Sequence, residues 1–223
     1  IYPCMVMPGT KLYENYKKNK FKPLTTSEAT KIIIEAKKYI PKYCRIYRIQ
    51  RDIPTKYTIA GVDITNLRQH IHNIMAEKNL KCNCIRCREP QNKQISWEDV
   101  KLNRIDYNAS NGKEIFLSFD DMKNNILLGF LRLRIPYKPF RKEITKNSAG
   151  IREMHVYGTQ ALIGKKGSIQ HKGLGKKLLK EAEKIAKEFN IKKMIIISGI
   201  GVKEYFKKFG YKKEGFYVTK NLS

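Results

Sequence analysis

A glycine-rich turn ahead of a long amphipathic helix constrains the fold of this chain more than any other feature of its sequence. The turn reads Gln170-His171-Lys172-Gly173-Leu174-Gly175, and apolar residues then recur at helical spacing through Lys172–Phe189. A helix N-terminus offers unpaired N–H groups and the positive end of the helix dipole, and glycines allow close approach. Lys172, Lys176 and Lys177 add positive charge. The pattern therefore predicts a diphosphate-binding turn.

The segments on either side of this turn predict a mixed α/β (α+β) fold with a central sheet. Two alternating segments, Lys101–Tyr107 and Glu114–Phe119, flank an Asn111-Gly112 pair, which is a strong signal for a hairpin turn. The remaining predicted elements are strands at Ile126–Ile135, Ile151–Val156, Met194–Ile197 and Phe216–Thr219, with a short helix near Val202–Phe209.

Residues ahead of the sheet predict two helices. One runs from Thr26 through Tyr39, with Ile32, Ile33, Ala36 and Ile40 on its apolar face, and the other spans Asn66 to Lys78. Between them, a strand-like alternation begins at Ile46.

The excess of basic over acidic residues indicates which class of binding partner to expect. The chain has 46 Lys and Arg against 20 Asp and Glu, a formal net charge of +26, spread along its length. Such a field favours a polyanion, nucleic acid first, with a lysine-rich solubility surface as the alternative. Apolar runs stay short of the ~18–20 residues that span a bilayer, and the start does not resemble a signal peptide. We therefore expect a cytoplasmic protein with no membrane partner.

A cluster of three cysteines, Cys82, Cys84 and Cys87, predicts a metal site. The chain has five cysteines, and this odd, clustered set argues against a disulfide framework. Zinc prefers four such ligands in a tetrahedron, so a fourth is needed. The sequence leaves it open among Cys4, Cys44, His70 and His72.

The glycine-rich turn resembles the Gln/Arg-x-x-Gly-x-Gly/Ala signature of the GNAT acyltransferases. Phe209-Gly210-Tyr211 is similar to the end of the same family, so the resemblance covers the C-terminal half. It implies that acetyl-CoA binds where the strand before the turn splays from its neighbour. The cofactor contacts implied are Met154, His155, Val156, Gln170, His171, Lys172, Gly173, Leu174, Gly175, Lys176, Tyr205 and Phe206.

Three residues are candidates for catalysis. Glu153 and His155 share one face of a strand, because strand side chains alternate, and would lie near the acetyl end. A purely structural Glu–His pair is the alternative. In the GNAT resemblance the tyrosine that protonates the CoA thiolate falls on Phe206, which has no proton to give. Either Tyr205 beside it does this work, or thiolate protonation is not needed.

Several segments together resemble the catalytic subunit of Elongator. They are the cysteine cluster, Tyr47–Pro54, Asn66–Arg68, Ile151–Gly158, the glycine-rich turn and Ser198–Val202. The resemblance implies a radical S-adenosylmethionine barrel with a 4Fe–4S cluster, joined to an acetyltransferase-like domain that acts on the wobble uridine of tRNA, giving a C5-carboxymethyl group. The barrel's Cys-x-x-x-Cys-x-x-Cys motif does not occur here, so we expect a truncated chain that cannot perform the full reaction alone.

The resemblance also implies how the chain is divided. We expect a remnant of the barrel at 1–40, a basic zinc-binding linker at 41–95 and a GNAT domain at 96–223. Four arginines could hold the anticodon stem-loop, although internal ion pairs such as Arg51 with Asp52 are the alternative. Expected partners are tRNA, acetyl-CoA and a homodimer or other Elongator-type subunits. A protein lysine (histone-type) acetyltransferase is the alternative function. The four arginines are Arg45, Arg48, Arg51 and Arg68.

Overall fold

The chain folds into two compact units, Ile1–Arg88 and Glu89–Ser223. A computed structural model describes residues 1–158 and 172–222. Within these ranges no helix is long and apolar enough to cross a membrane.

The first unit is built from helices and irregular chain. Its helices are α1 (Lys11–Lys17), α2 (Thr26–Lys38), α3 (Leu67–Glu77) and α4 (Ile85–Arg88).

Helix α2 begins where the sequence predicts. The Thr25 hydroxyl accepts from the Glu28 amide at 3.2 Å, and the Glu28 carboxylate accepts from the Thr25 amide at 2.8 Å, forming a capping box. The face assigned to this helix is partly wrong, since Ile32 is exposed whereas Lys37 is buried.

The alternation that starts at Ile46 does not form a strand. Gln50 adopts a left-handed backbone, with φ of 73°, and its amide donates to the Ile1 carbonyl. Its side chain donates to the Ile64 carbonyl at 2.6 Å. These contacts with distant residues replace the ladder that the alternation predicts.

The core of the first unit includes two of the clustered cysteines. Cys82 and Cys84 pack with apolar side chains from α2 and α3, among them Ile33, Leu67 and Ile71. Cys82 and Cys84 therefore occupy core positions that apolar side chains fill in most domains.

The second unit is a seven-stranded mixed sheet, in agreement with the predicted fold class. Strand order is β1-β2-β3-β4-β5-β7-β6, with β4 and β5 parallel and the other neighbours antiparallel. The strands are β1 (Val100–Ala109), β2 (Gly112–Asp121), β3 (Ile126–Ile135), β4 (Ser148–Val156), β5 (Lys193–Ile196), β6 (Lys212–Glu214) and β7 (Tyr217–Asn221); the helices are α5 (Leu174–Glu188) and α6 (Lys203–Lys207).

The hairpin turn between β1 and β2 lies one residue earlier than predicted. Ala109 pairs with Gly112, so Ser110 and Asn111 form the turn, with φ of 45° and 57°. Gly112 is instead the first residue of β2. A Cβ there would lie 2.6 Å from the Ile135 carbonyl oxygen of β3, so close packing of the neighbouring strand requires the glycine.

Helix α5 covers one face of the sheet. Its buried stripe includes Leu178, Ala182 and Ile185, which pack with sheet residues such as Leu117 and Leu131. The packing fixes the start of α5 relative to β4 and β5, where the candidate site lies.

Candidate functional site

Strands β4 and β5 separate part-way along their length. They pair from Ser148↔Lys193 to Ile151↔Ile196, where β5 ends, while β4 continues to Val156 paired with β3. Within the described residues, no strand lies opposite the β5-facing edge of β4 beyond Ile151. A cavity of about 150 Å³ occupies this gap, lined among others by Met154, Ser198 and Tyr205.

A bulge in β4 orients the side chains at this gap. Arg132 pairs with Glu153 and Leu133 with Ile151, which leaves Arg152 as the extra residue. Beyond the bulge, Met154 packs against the core that α5 covers.

Glu153 and His155 both engage side chains of β3. The Glu153 carboxylate accepts from the Arg132 guanidinium at 2.9 Å. The His155 ring lies 6.1 Å from the Phe130 ring and 4.5 Å from the Tyr157 ring, between centroids. Their partners are two residues apart on β3, as expected for side chains on one face. These contacts are of the kind expected if Glu153 and His155 have a structural role. A catalytic role for both residues stays a hypothesis.

Among the described residues, no side chain caps the backbone donors at the start of α5. Gly173 is the N-cap residue, with φ of 73°, and the amide of Lys177 is the donor to its carbonyl. The amides of Leu174, Gly175 and Lys176 come earlier and have no acceptor within the helix. A Cβ on Gly173 would meet no atom of the described residues within 4 Å, so these residues leave space beside the donors.

The residues next to this turn are only partly described. Lys172 is exposed, with its ammonium 5.0 Å from the centre of the Trp97 ring. Gln170 and His171, both predicted cofactor contacts, lie outside the described residues.

Tyr205 of α6 reaches the first turn of α5. A Cβ on Gly175 would lie 2.8 Å from the Tyr205 hydroxyl and 3.6 Å from the Val156 side chain. Burial raises the pKa of Tyr205, so the phenol is protonated at neutral pH. Phe206 also lines the gap but is 5% exposed and belongs to the core. The structure thus brings Tyr205, Gly175 and Val156 together.

The three clustered cysteines converge in the first unit. The sulfurs of Cys82, Cys84 and Cys87 lie within 4.8 Å of one another, a spacing that could hold one metal ion. Hydrogen bonds from the neighbouring cysteines lower the pKa of the Cys84 thiol well below its usual range. A thiolate is therefore favoured at the centre of the cluster.

Two side chains outside the cysteine loop approach Cys87. His72 Nε2 of α3 lies 3.7 Å from its sulfur, and Lys37 Nζ of α2 donates to that sulfur at 3.5 Å. Burial, reinforced by the charges of Lys37 and Arg68, lowers the pKa of His72 below 6.5, which favours the neutral imidazole that binds metals. Of the open candidates, His72 is thus placed beside the cluster, whereas Cys4 is exposed.

Sequence reasoning missed Lys37. Its position four residues after Ile33, on the apolar face of α2, was the available signal.

The four arginines expected to contact RNA differ in their surroundings. Arg68 donates to the carbonyls of Ile46 and Tyr47, at 3.0 and 3.1 Å, which ties it to the protein. Arg48 forms an ion pair with Asp52, whereas the alternative considered from the sequence paired Asp52 with Arg51. Guanidinium–ring distances are 5.5 Å for Arg45 over Tyr47 and 5.6 Å for Arg51 over Tyr2.

A sheet opened beside an uncapped helix N-terminus is the arrangement expected of an acyl-CoA-binding fold. The chain belongs to the acetyltransferase (GNAT) family, whose model matches residues 83–211. A radical SAM C-terminal domain model matches residues 1–77. The predicted GNAT fold is therefore confirmed.

Over its whole length the chain is similar to proteins named tRNA uridine(34) acetyltransferase and Elongator complex protein 3. It is 49% identical to the tRNA uridine(34) acetyltransferase of Methanocaldococcus infernus and 41% identical to Elongator complex protein 3 of Schizosaccharomyces pombe, covering 43% and 42% of those proteins. A solved structure of the archaeal Methanocaldococcus infernus Elp3 with an N-terminal deletion is 49% identical, with a TM-score of 0.92 over 100% of this chain and 55% of that one. The resemblance to the Elongator subunit is confirmed, and the chain spans about half the length of these relatives.

Proposed function

We propose that the second unit binds acetyl-CoA in the gap between β4 and β5 and uses its acetyl group in modifying the wobble uridine of tRNA. The observation that carries this proposal is that β5 ends at Ile196, opposite Ile151, while β4 continues to Val156 near the first turn of α5. Relatives named tRNA uridine(34) acetyltransferase support the choice of substrate.

Each part of the gap has a task in this proposal. The amides of Leu174, Gly175 and Lys176 bind the diphosphate, and Lys172 adds charge beside them. Gln170 and His171 belong to the same turn. The backbone of Met154 and Val156, on the part of β4 that extends beyond the end of β5, orients the pantetheine amides as a neighbouring strand would.

Bound acetyl-CoA would supply an activated acetyl thioester. Tyr205, whose phenol is protonated at neutral pH, donates its proton to the departing sulfur, and Phe206 supports its ring at a centroid distance of 5.3 Å. Glu153 and His155 supply polar groups near the acetyl end.

The complete reaction needs more than these residues. We propose C5-carboxymethylation, for which S-adenosylmethionine and a 4Fe–4S cluster bind in a radical domain whose cysteine motif is not in this sequence. Arg45, Arg48 and Arg51 contact the tRNA, whereas Arg68 holds the loop that carries Arg45 and Arg48. Other Elongator-type subunits or a second copy of the chain are the expected protein partners.

The first unit, in the same proposal, holds zinc through Cys82, Cys84, Cys87 and His72. A tetrahedral site with ~2.3 Å bonds to sulfur and ~2.0 Å bonds to nitrogen would separate a ligating sulfur from the ligating nitrogen by roughly 3.5 Å. The distance of 3.7 Å between His72 Nε2 and Cys87 Sγ fits that sulfur–nitrogen separation.

Calorimetric titration with acetyl-CoA, and separately with tRNA, tests the main proposal. Gly175→Leu should abolish the heat of acetyl-CoA binding and leave tRNA affinity unchanged, because the new side chain fills the space beside Tyr205. Gly150→Ala is the matched control, since a Cβ there has ordinary contacts, the nearest at 3.9 Å. Wild-type protein that gives no acetyl-CoA heat, or that acetylates a histone-like peptide without any effect of tRNA, contradicts the proposal.

Zinc affinity of histidine variants tests the fourth ligand. His72→Ala should weaken zinc binding strongly, and His70→Ala, two residues earlier on the same helix, should not. Equal affinities in both variants would remove His72 from the ligand set.

A further inference from the structure

A lysine on α2 is completely buried. Lys37 has 0% of its surface exposed, although a lysine ammonium loses a large hydration energy when it leaves water. A buried lysine nitrogen needs a hydrogen-bond partner in the core. Its charged neighbour on the same helix, Lys38, is instead exposed and pairs with Glu35.

The partner of Lys37 is a sulfur of the cysteine cluster. Its Nζ lies 3.5 Å from Cys87 Sγ, and no carboxylate in the described part of the chain pairs with it. Lys37 is buried on α2 together with Ile33 and Ile34, which belong to the core that also contains Cys82 and Cys84.

Charge balance explains why a cation is buried there. Three thiolates, one neutral imidazole and a divalent ion carry one net negative charge, which the Lys37 ammonium neutralises. An N–H donor on a ligating sulfur also fixes the orientation of that ligand.

We propose that Lys37 is the counter-ion and a positioning residue of the metal centre, donating its N–H to the Cys87 thiolate. The inference rests on the proposed metal site and adds a residue that does not itself bind the ion. It also links α2 to the cysteine loop within the first unit.

Metal affinity of position-37 variants, measured on the whole chain, tests this role. Competition with a chromophoric chelator gives the zinc affinity, and Co²⁺ substitution gives the sulfur-to-metal absorption band. Lys37→Met keeps the length and removes the charge, so it should weaken zinc binding about 10–100-fold and shift the cobalt band. Lys37→Arg should retain more affinity than Lys37→Met. Lys38→Met, at the adjacent exposed lysine, should match the wild type.

The outcomes separate the counter-ion role from a packing role and from loss of the site. Wild-type affinity in Lys37→Met, or an order in which Met is tolerated and Arg is not, overturns the counter-ion role. If Lys37→Met does not fold, Lys37→Gln replaces it, and unchanged affinity in that variant likewise overturns the proposal. Wild-type chain that binds neither zinc nor cobalt refutes the metal centre itself.

Discussion

The two units of this chain reach a folded state by different means. The second unit buries a continuous apolar layer between a seven-stranded sheet and α5. The first unit has four helices, an isolated bridge between Val6 and Ala60, and a small core that includes Cys82 and Cys84. Small cores are commonly completed by a bound metal, which is the role that we propose for the cysteine cluster in the first unit.

Metal removal should produce the largest difference in stability between the two units. Structural zinc in small domains contributes on the order of 10 kcal/mol, so a strong chelator should unfold Ile1–Arg88 and leave the sheet folded. Hydrogen exchange read by mass spectrometry checks this, with α3 losing protection and β3 keeping it. Full protection of α3 in metal-free protein would show that its core is sufficient alone.

Tyr205→Phe tests whether chemistry resides in the second unit. General-acid donors contribute about 10²–10⁴-fold in rate, so acetyl-group release should slow by that order while acetyl-CoA affinity stays unchanged. The pre-steady-state rate of CoA release measures it in the whole protein. An unchanged rate would favour the alternative in which the sulfur needs no proton donor.

Leu131→Ala probes the apolar core of the second unit. Leu131 is fully buried in the layer under α5, and truncating such a leucine costs about 2–5 kcal/mol. Urea unfolding followed by tyrosine and tryptophan fluorescence should show this loss. Zinc affinity is the internal control and should stay at the wild-type value; a parallel loss of zinc would show that the two stabilities are not separate.

Thr25→Ala removes one helix cap in the first unit and should have the smallest effect of these variants. Losing the hydroxyl half of the capping box should cost about 1 kcal/mol, seen as a lower thermal midpoint of the first unit when it is metal-loaded. Thr26→Ser, which keeps the hydroxyl that bonds Asp63, is the matched control. Equal losses in both variants would mean that the cap contributes little.

The sequence predicts most of the second unit and less of the first, for physical reasons. Strand β3 has its predicted bounds, because its apolar run is read directly from the chain. Strand β6 is missed, since Lys212–Glu214 is a polar edge strand that only its pairing with β7 defines. The strand expected at Ile46 is absent because Gln50 bonds distant residues instead.

The candidate sites divide in the same way. The glycine-rich turn and the three cysteines are visible as local motifs. His72 could not be selected from four candidates, and Lys37 was not considered, because both are set by how α2 and α3 pack on the cysteine loop. The predicted roles of Glu153, His155 and the arginines stay hypotheses.

The early end of β5 has a mechanical consequence. Four residue pairs, from Ser148↔Lys193 to Ile151↔Ile196, make up the hydrogen-bonded seam between the four-stranded block β1–β4 and the three-stranded block β5–β7–β6. A molecule that hydrogen-bonds to β4 beyond Ile151 and also contacts the segment after β5 would connect the two blocks across this seam. Its arrival would stiffen the sheet as a whole, and the two blocks would then resist shear together.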